Sequence, residues 1–227
     1  MAEQKKSPLI MIGAVAVALI VAAGIFFTQF GEESSQTAVN AAEGDGAVAS
    51  AAAGEGRPDL FLGDADAPIE MIEYASFTCP HCASFHTDIY PNLKAEYIDT
   101  GKVKFVMREV YFDQFGLAAG LLARCGGDMR YYGIVDLLFQ KQAEWVRGEG
   151  DAVVQNLYRI GRQAGLENDQ MQACLQDREL STALVEDYRL KAAADDISAT
   201  PSFVINGEKF SNQDWSSLKS ALDEMLN

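Results

Sequence analysis

The sequence predicts an α/β domain interrupted by a helical block, and three observations carry that prediction. A mostly apolar run at residues 69–75 (IEMIEYA) passes directly into a Ser-Phe-Thr-Cys-Pro-His-Cys turn and a helical pattern, as a buried strand feeding a helix does. A second run at 102–110 (KVKFVMREV) alternates Val103, Phe105 and Met107 with polar neighbours, which is the period-2 signature of a strand. Residues 114–194 then read as successive helical segments before strand character returns at 201–205. Strand, helix, strand, helices, hairpin, helix is the resulting order.

Ahead of this domain, Lys5 and Lys6 precede 19 uncharged residues at 9–27. That length reaches the threshold for a membrane-spanning helix and exceeds the apolar region of most secretory signals. Residues 1–30 are therefore expected to be a signal anchor or a signal peptide, with length favouring the anchor. Val39-Asn40-Ala41 would offer a small-residue cleavage site, far from the end of the apolar run. Either route places the bulk of the chain outside the cytoplasm. Residues 31–57, rich in Ala, Gly, Ser and Glu, lack the apolar surface needed to offset ordering entropy and read as a flexible tether.

Within the domain expected at 58–227, Pro80 suits the first position of a helix, where a missing N–H costs little. That helix is expected to run to about Asp99, kinked at Pro91 and stopped by Gly101. Breaks in the helical insertion are expected near Gly126-Gly127, Gly148 to Gly150 and Gly165. Asn206-Gly207 is a two-residue hairpin signal after the strand that starts at Pro201, and residues 213–226 close the chain as an amphipathic helix. With 227 residues of which 48% are hydrophobic, the chain has material for one domain of this size. Lys and Arg number 18 against 33 Asp and Glu, and the net charge of −15 repels phosphate backbones, which argues against nucleic acid as a partner.

Chemistry concentrates at Cys79-Pro80-His81-Cys82. A cysteine at a helix start lies beside unpaired backbone N–H groups and the positive end of the helix dipole, which favours thiolate over thiol. Cys79 is then the solvent-facing sulfur that is attacked and Cys82 the buried resolving partner, and a low thiol pKa makes the disulfide form a stronger oxidant. His81 adds to this if its imidazole donates to the Cys79 sulfur or brings positive charge near it. Three other uses of the motif fare worse. A structural bridge across C-x-x-C is geometrically tight. Zinc needs two further ligands, and His86 is the only other histidine; it lies a helical turn past Cys82 and is expected to face solvent or pack. Haem attachment wants a histidine where Ala83 stands. Far along the chain, Thr200-Pro201 sits at a strand start, where proline's missing donor is tolerated, and the backbone of Thr200 would suit pairing with an extended substrate.

The set EYASFTCPHC at 73–82, the following helix with Pro91 and YIDTG at 97–101, and SATPSFVING at 198–207 closely resembles the DsbA-like branch of the thioredoxin fold. The resemblance covers residues 58–227 and implies a thioredoxin fold with a helical insertion, a cis Thr200–Pro201 bond and periplasmic dithiol oxidation of exported polypeptides. It also implies a DsbB-like membrane protein as reoxidant; a dithiol oxidase of this kind is expected to be a monomer with an accessible disulfide, and no metal or cofactor is expected. Ala199 departs from the glycine common in relatives, at the loop a substrate would approach. Glu73 matches a buried acidic position of the family, from which a carboxylate would relay a proton to or from Cys82; the other reading is a strand-edge carboxylate exposed to water. Phe77, before the turn, is expected to line a peptide-binding surface.

Cys125 and Cys174 fall in the insertion, and four cysteines leave three pairings open. The simplest joins Cys125 to Cys174, and an extra bridge of this kind is found in some DsbA-like proteins. Two alternatives to a dithiol oxidase stand beside it: an isomerase or reductase using the same cysteines, and a non-catalytic peptide-binding or chaperone module in which they only staple the turn.

Overall fold

The computed structural model describes residues 56–211 and 214–227. The expected membrane or signal segment at 1–30 and nearly all of the tether lie outside them. Among the described residues no helix is long and apolar enough to cross a membrane. Arg57, placed at the tether's end by composition, is tied down: its N–H donates to Asp187 at 2.6 Å and its carbonyl accepts from Lys191 at 2.6 Å.

Five strands, Phe61–Leu62 (β1), Ile69–Ala75 (β2), Val103–Glu109 (β3), Ser202–Ile205 (β4) and Glu208–Phe210 (β5), form one mixed sheet in the order β1-β3-β2-β4-β5. Its centre is β2 (Ile69–Ala75) paired in parallel with β3 (Val103–Glu109), from Ile69 opposite Val103 to Ala75 opposite Glu109. A parallel central pair must be covered on both faces, and the alternation along β2 assigns each side chain to one of them. Met71 and Ala75 face the larger core, with Phe77, Phe85 and Phe105. Ile72 and Tyr74 face the other side, with Val106, Val204 and Ala192 of α8 (Arg178–Ala194). Glu73 shares the parity of Met71 and Ala75, so it points toward the helix that follows.

The turn after β2 opens α1 (Pro80–Asp88) with Pro80 in the first turn. The expected kink at Pro91 is a full break: α2 (Tyr90–Leu93) and a π-helical turn (Lys94–Ile98) follow as separate pieces, and Gly101 ends the run at φ +73°. The insertion consists of α3 (Gln114–Cys125), α4 (Asp128–Gln140), the single turn α5 (Gln142–Trp145), α6 (Asp151–Gln163), α7 (Asn168–Leu175) and α8. It is anchored to the sheet through Glu109, whose carboxylate accepts Arg124 at 2.9 and 2.7 Å and the Tyr131 hydroxyl at 2.8 Å.

β4 (Ser202–Ile205) turns into β5 (Glu208–Phe210) through Asn206 (φ 49°) and Gly207 (φ 84°), the positive dihedrals that a two-residue hairpin requires. The closing α9 (Trp215–Met225) starts later than its apolar pattern suggests, because the Asp214 carboxylate caps it by accepting Ser217 N–H at 2.9 Å. The antiparallel edge strand β1 (Phe61–Leu62) is two residues long, too short for a periodic signal, and escaped the sequence reading.

Candidate active site

Cys79 is the N-cap residue of α1, in extended conformation (φ −82°, ψ 118°), and makes no side-chain capping bond. Pro80 contributes no N–H, the first turn carries no acidic residue, and the positive helix end is therefore left to the sulfur. The thiol donates to Thr200 O at 3.5 Å, which brings β4's entry loop against the turn. The Thr200–Pro201 bond is cis. The buried Thr200 hydroxyl has no partner in this dithiol form and lies where it favours thiolate at both sulfurs.

The two cysteines are free thiols in opposite surroundings. At Cys79, partial burial works to raise the thiol pKa, but the Thr200 hydroxyl, the backbone N–H groups of Cys82 and His81 and the Cys82 thiol outweigh it, so the pKa is lowered. At Cys82, which is fully buried, desolvation and then the charge of Glu73 drive the thiol well above its ordinary range.

Glu73 has no exposed surface, and its partner is His86, the histidine expected to face solvent or pack. Oε2 of Glu73 lies 2.9 Å from Nε2 of His86. The imidazole is stacked on Phe139 of α4, ring centres 4.0 Å apart, with Tyr90 and Phe85 at its other edges. Cys82, Phe85 and His86 are the buried residues of α1, at spacing i, i+3, i+4, and this stripe was the sequence signal that His86 belongs under the active site.

Other expected residues are placed differently. The Phe77 ring is 1% exposed and packs on Phe139 at 5.1 Å, so it lines no substrate surface. Its part in the site is its carbonyl. His81 is exposed, and among the described residues its ring makes no hydrogen bond; its backbone N–H is what reaches toward the Cys79 sulfur. Cys125 and Cys174, 49 residues apart in sequence, are joined in a disulfide between α3 and α7. No group of His, Cys, Asp and Glu able to hold a metal occurs among the described residues.

Two contacts from the insertion, unforeseen in the sequence, hold the turn. Gln142 of α5, almost wholly buried, donates its amide to Phe77 O and to Cys79 O, each at 2.8 Å. Asp113, the N-cap of α3, accepts the Thr78 hydroxyl at 2.6 Å while capping Phe115 N and Gly116 N at 2.8 and 2.9 Å. Trp145 and Trp215 are packing residues; the Trp145 indole donates to Leu138 O at 2.8 Å.

A C-x-x-C pair of unequal thiols at a helix start, set beside a cis-proline loop on a sheet of this topology, defines a thioredoxin-fold dithiol site. The thioredoxin family model matches residues 56–224. Among solved structures, alpha-DsbA1 of Wolbachia pipientis superposes with a TM-score of 0.68 at 31% identity, over 74% of this chain and 90% of that one. Oxidised BdbD of Bacillus subtilis (22% identity, TM-score 0.66, 74% of this chain and 92% of that one) shares the fold. A Rickettsia bellii relative named as a protein-disulfide oxidoreductase is 34% identical over 174 residues; the match covers 74% of this chain and 64% of the relative's length. The chain belongs to the DsbA-like thiol:disulfide oxidoreductases of the thioredoxin superfamily.

Proposed function

We propose that this chain is an exported dithiol oxidase that donates the Cys79–Cys82 disulfide to reduced polypeptides. The observation that carries the reading is the polarity of the pair: Cys79 is partly exposed with its thiolate favoured, whereas Cys82 is sealed in with its thiolate opposed. A reduced form stabilised at Cys79 is the thermodynamic mark of an oxidising couple.

In the oxidised enzyme a substrate thiolate attacks Cys79 Sγ, a mixed disulfide forms, and the Cys79–Cys82 bond breaks with Cys82 leaving as thiolate and taking up a proton. A second substrate thiolate attacks its own half of the mixed disulfide and expels Cys79 as thiolate. Two electrons have passed from the substrate dithiol to the enzyme pair, and a DsbB-like membrane protein removes them. Thr200 and Pro201 flank the mixed disulfide, where an extended substrate pairs with the Thr200 backbone. Glu73 exchanges the proton with Cys82, and a charged His81 ring adds to the field at Cys79. The Cys125–Cys174 bridge is structural, the domain acts as a monomer, and residues 1–30 carry it out of the cytoplasm and anchor it if uncleaved.

The test is the equilibrium of the Cys79–Cys82 pair against glutathione in the full chain. Reduction by weakly reducing glutathione, together with stoichiometric oxidation of a reduced dithiol peptide, is the expected result. A pair that stays oxidised until strongly reducing conditions would replace this reading with a reductase.

A further inference from the structure

The cis-proline loop is held from the face of the sheet away from the thiols. Arg108 of β3, Tyr74 of β2 and Ser202 of β4 stand opposite one another across three neighbouring strands, and Tyr74 belongs to the smaller core that includes Ala192 of α8. The Tyr74 hydroxyl donates to Asp195 Oδ2 at 2.5 Å and accepts Arg108 Nη1 at 2.6 Å, and the same Nη1 reaches Asp195 Oδ2 at 2.9 Å. The other edge of the guanidinium is taken by Asp59, whose Oδ2 accepts Nε at 3.0 Å and Nη2 at 2.8 Å. Asp195 is the C-cap of α8, the point where the chain leaves the helix for Thr200. Asp196 then turns at φ 48° with its carboxylate on Lys209 at 2.8 Å, Ile197 N–H returns to Ala192 O at 2.7 Å, and Ser202 Oγ donates to Ala199 O at 2.7 Å. The loop thus starts on the α8 face and delivers Thr200 O to Cys79 Sγ on the other.

Partly buried charges cost desolvation that apolar side chains would not. What they supply here is geometry, because a planar guanidinium that meets Asp59 with one edge has its other edge fixed on Asp195. We propose that Arg108, Tyr74 and Asp195 are positioning residues for disulfide exchange: by fixing where the chain leaves α8 they set the approach of Thr200 to Cys79 and of an extended substrate to the Thr200 backbone. The inference rests on the reading of Thr200 and Pro201 as the substrate-pairing loop. All three residues act through Thr200, not on the sulfurs. Against the effect of burial, the Thr200 hydroxyl leads the groups that favour thiolate at Cys79, so a loop that drifts loses thiolate stabilisation and substrate register together. The sign separates this role from plain electrostatics. Removing the Asp195 charge by itself favours the Cys79 thiolate, since an anion opposes it; loosening Thr200 disfavours that thiolate. Asp59 is the internal control: it puts the same charge on the same guanidinium but leads into β1 and not into the loop.

The experiment is thiol–disulfide exchange between the full chain and a dithiol peptide, with dithiothreitol in parallel, in wild type, Asp195→Ala, Tyr74→Phe and Asp59→Ala. Each protein is also titrated at the Cys79 thiolate by ultraviolet absorbance and unfolded in urea. Asp195→Ala is expected to raise the peptide KM about tenfold with kcat little changed, and to alter the dithiothreitol rate by less than about threefold. Its thiolate titration should move upward in pH. Tyr74→Phe keeps the Arg108–Asp195 pair and should move both readings the same way by less. Asp59→Ala should lower the urea midpoint as the others do, with the peptide KM and titration of wild type. Wild-type KM and titration in Asp195→Ala, equal shifts in Asp59→Ala, or a downward titration in Asp195→Ala, the mark of charge alone, would each overturn the proposal. If Asp195→Ala does not fold, Tyr74→Phe decides by the same two readings. Exchange is followed in both directions, so the comparison holds whether the chain works as oxidase or reductase. A wild-type chain that treats peptide and dithiothreitol alike would refute substrate pairing at Thr200 and the proposal with it, whereas a preference for peptide that every variant keeps refutes the proposal alone.

Discussion

Replacing Gln142 with methionine isolates what the insertion does for the active turn. The side chain keeps its length but loses the amide that donates to Phe77 O and Cys79 O at 2.8 Å. Cys79 O retains the N–H of Ala83 at 3.2 Å, so losing the amide there removes one bond worth about 1 kcal/mol. Phe77 O has no other donor among the described residues; left bare in a buried site it costs about 1–3 kcal/mol. The sum is about 2–4 kcal/mol. With an m-value of about 2 kcal/mol/M, the urea midpoint of the reduced protein should fall by roughly 1–2 M at unchanged m. The Cys79 thiolate titration, followed by ultraviolet absorbance, should move upward in pH, because the clamp fixes the backbone from which the His81 and Cys82 N–H groups reach the sulfur. A midpoint shift below about 0.3 M would refute the reasoning, since it would mean the two carbonyls find water or new donors at no cost.

Two further outcomes follow from the same geometry. Removing the Cys125–Cys174 bridge by a double serine substitution releases a 49-residue separation, worth about 4 kcal/mol in the chain-entropy picture; a drop in Tm on the order of 10 °C is expected, read by calorimetry, with the Cys79–Cys82 glutathione equilibrium unmoved. Because the folded Cys79 pKa is lowered, the unfolded chain binds more protons than the native one between that value and the ordinary thiol range. The stability of the reduced protein therefore rises with pH through that window and is lost as pH falls through the folded pKa; Tm of the reduced form measured against pH should climb accordingly, while iodoacetamide labels Cys79 throughout the window and leaves Cys82 unlabelled.

What the sequence disclosed was local. Pro80 at a helix start, the Asn206-Gly207 turn and the central strands are each specified within a few residues, and each stands where the pattern put it. What it withheld depends on separation. Glu73 and His86 are 13 residues apart and meet only because β2's parity and α1's buried stripe face each other. The stripe was readable as Cys82, Phe85 and His86, yet a histidine on an apolar face says nothing by itself of a carboxylate across it. Gln142 reaches the turn from 63 residues away, in a one-turn helix too short to show a periodic pattern. Phe77 was misjudged for the same reason: adjacency to the cysteines suggested surface, but its ring follows the parity of the strand into the core.

The asymmetry of the two thiols sets a problem that the rest of the site answers. A thiolate leaves faster the lower its pKa, so the second exchange step, with Cys79 as leaving group, is easy. The first is not: attack at partly exposed Cys79 expels Cys82, the sulfur whose ionisation burial and Glu73 both oppose. The same burial that directs substrate to Cys79 makes Cys82 a poor leaving group unless a proton arrives as the bond breaks. In the proton exchange proposed for Glu73, the charged carboxylate would oppose the departing thiolate and the protonated one would capture it.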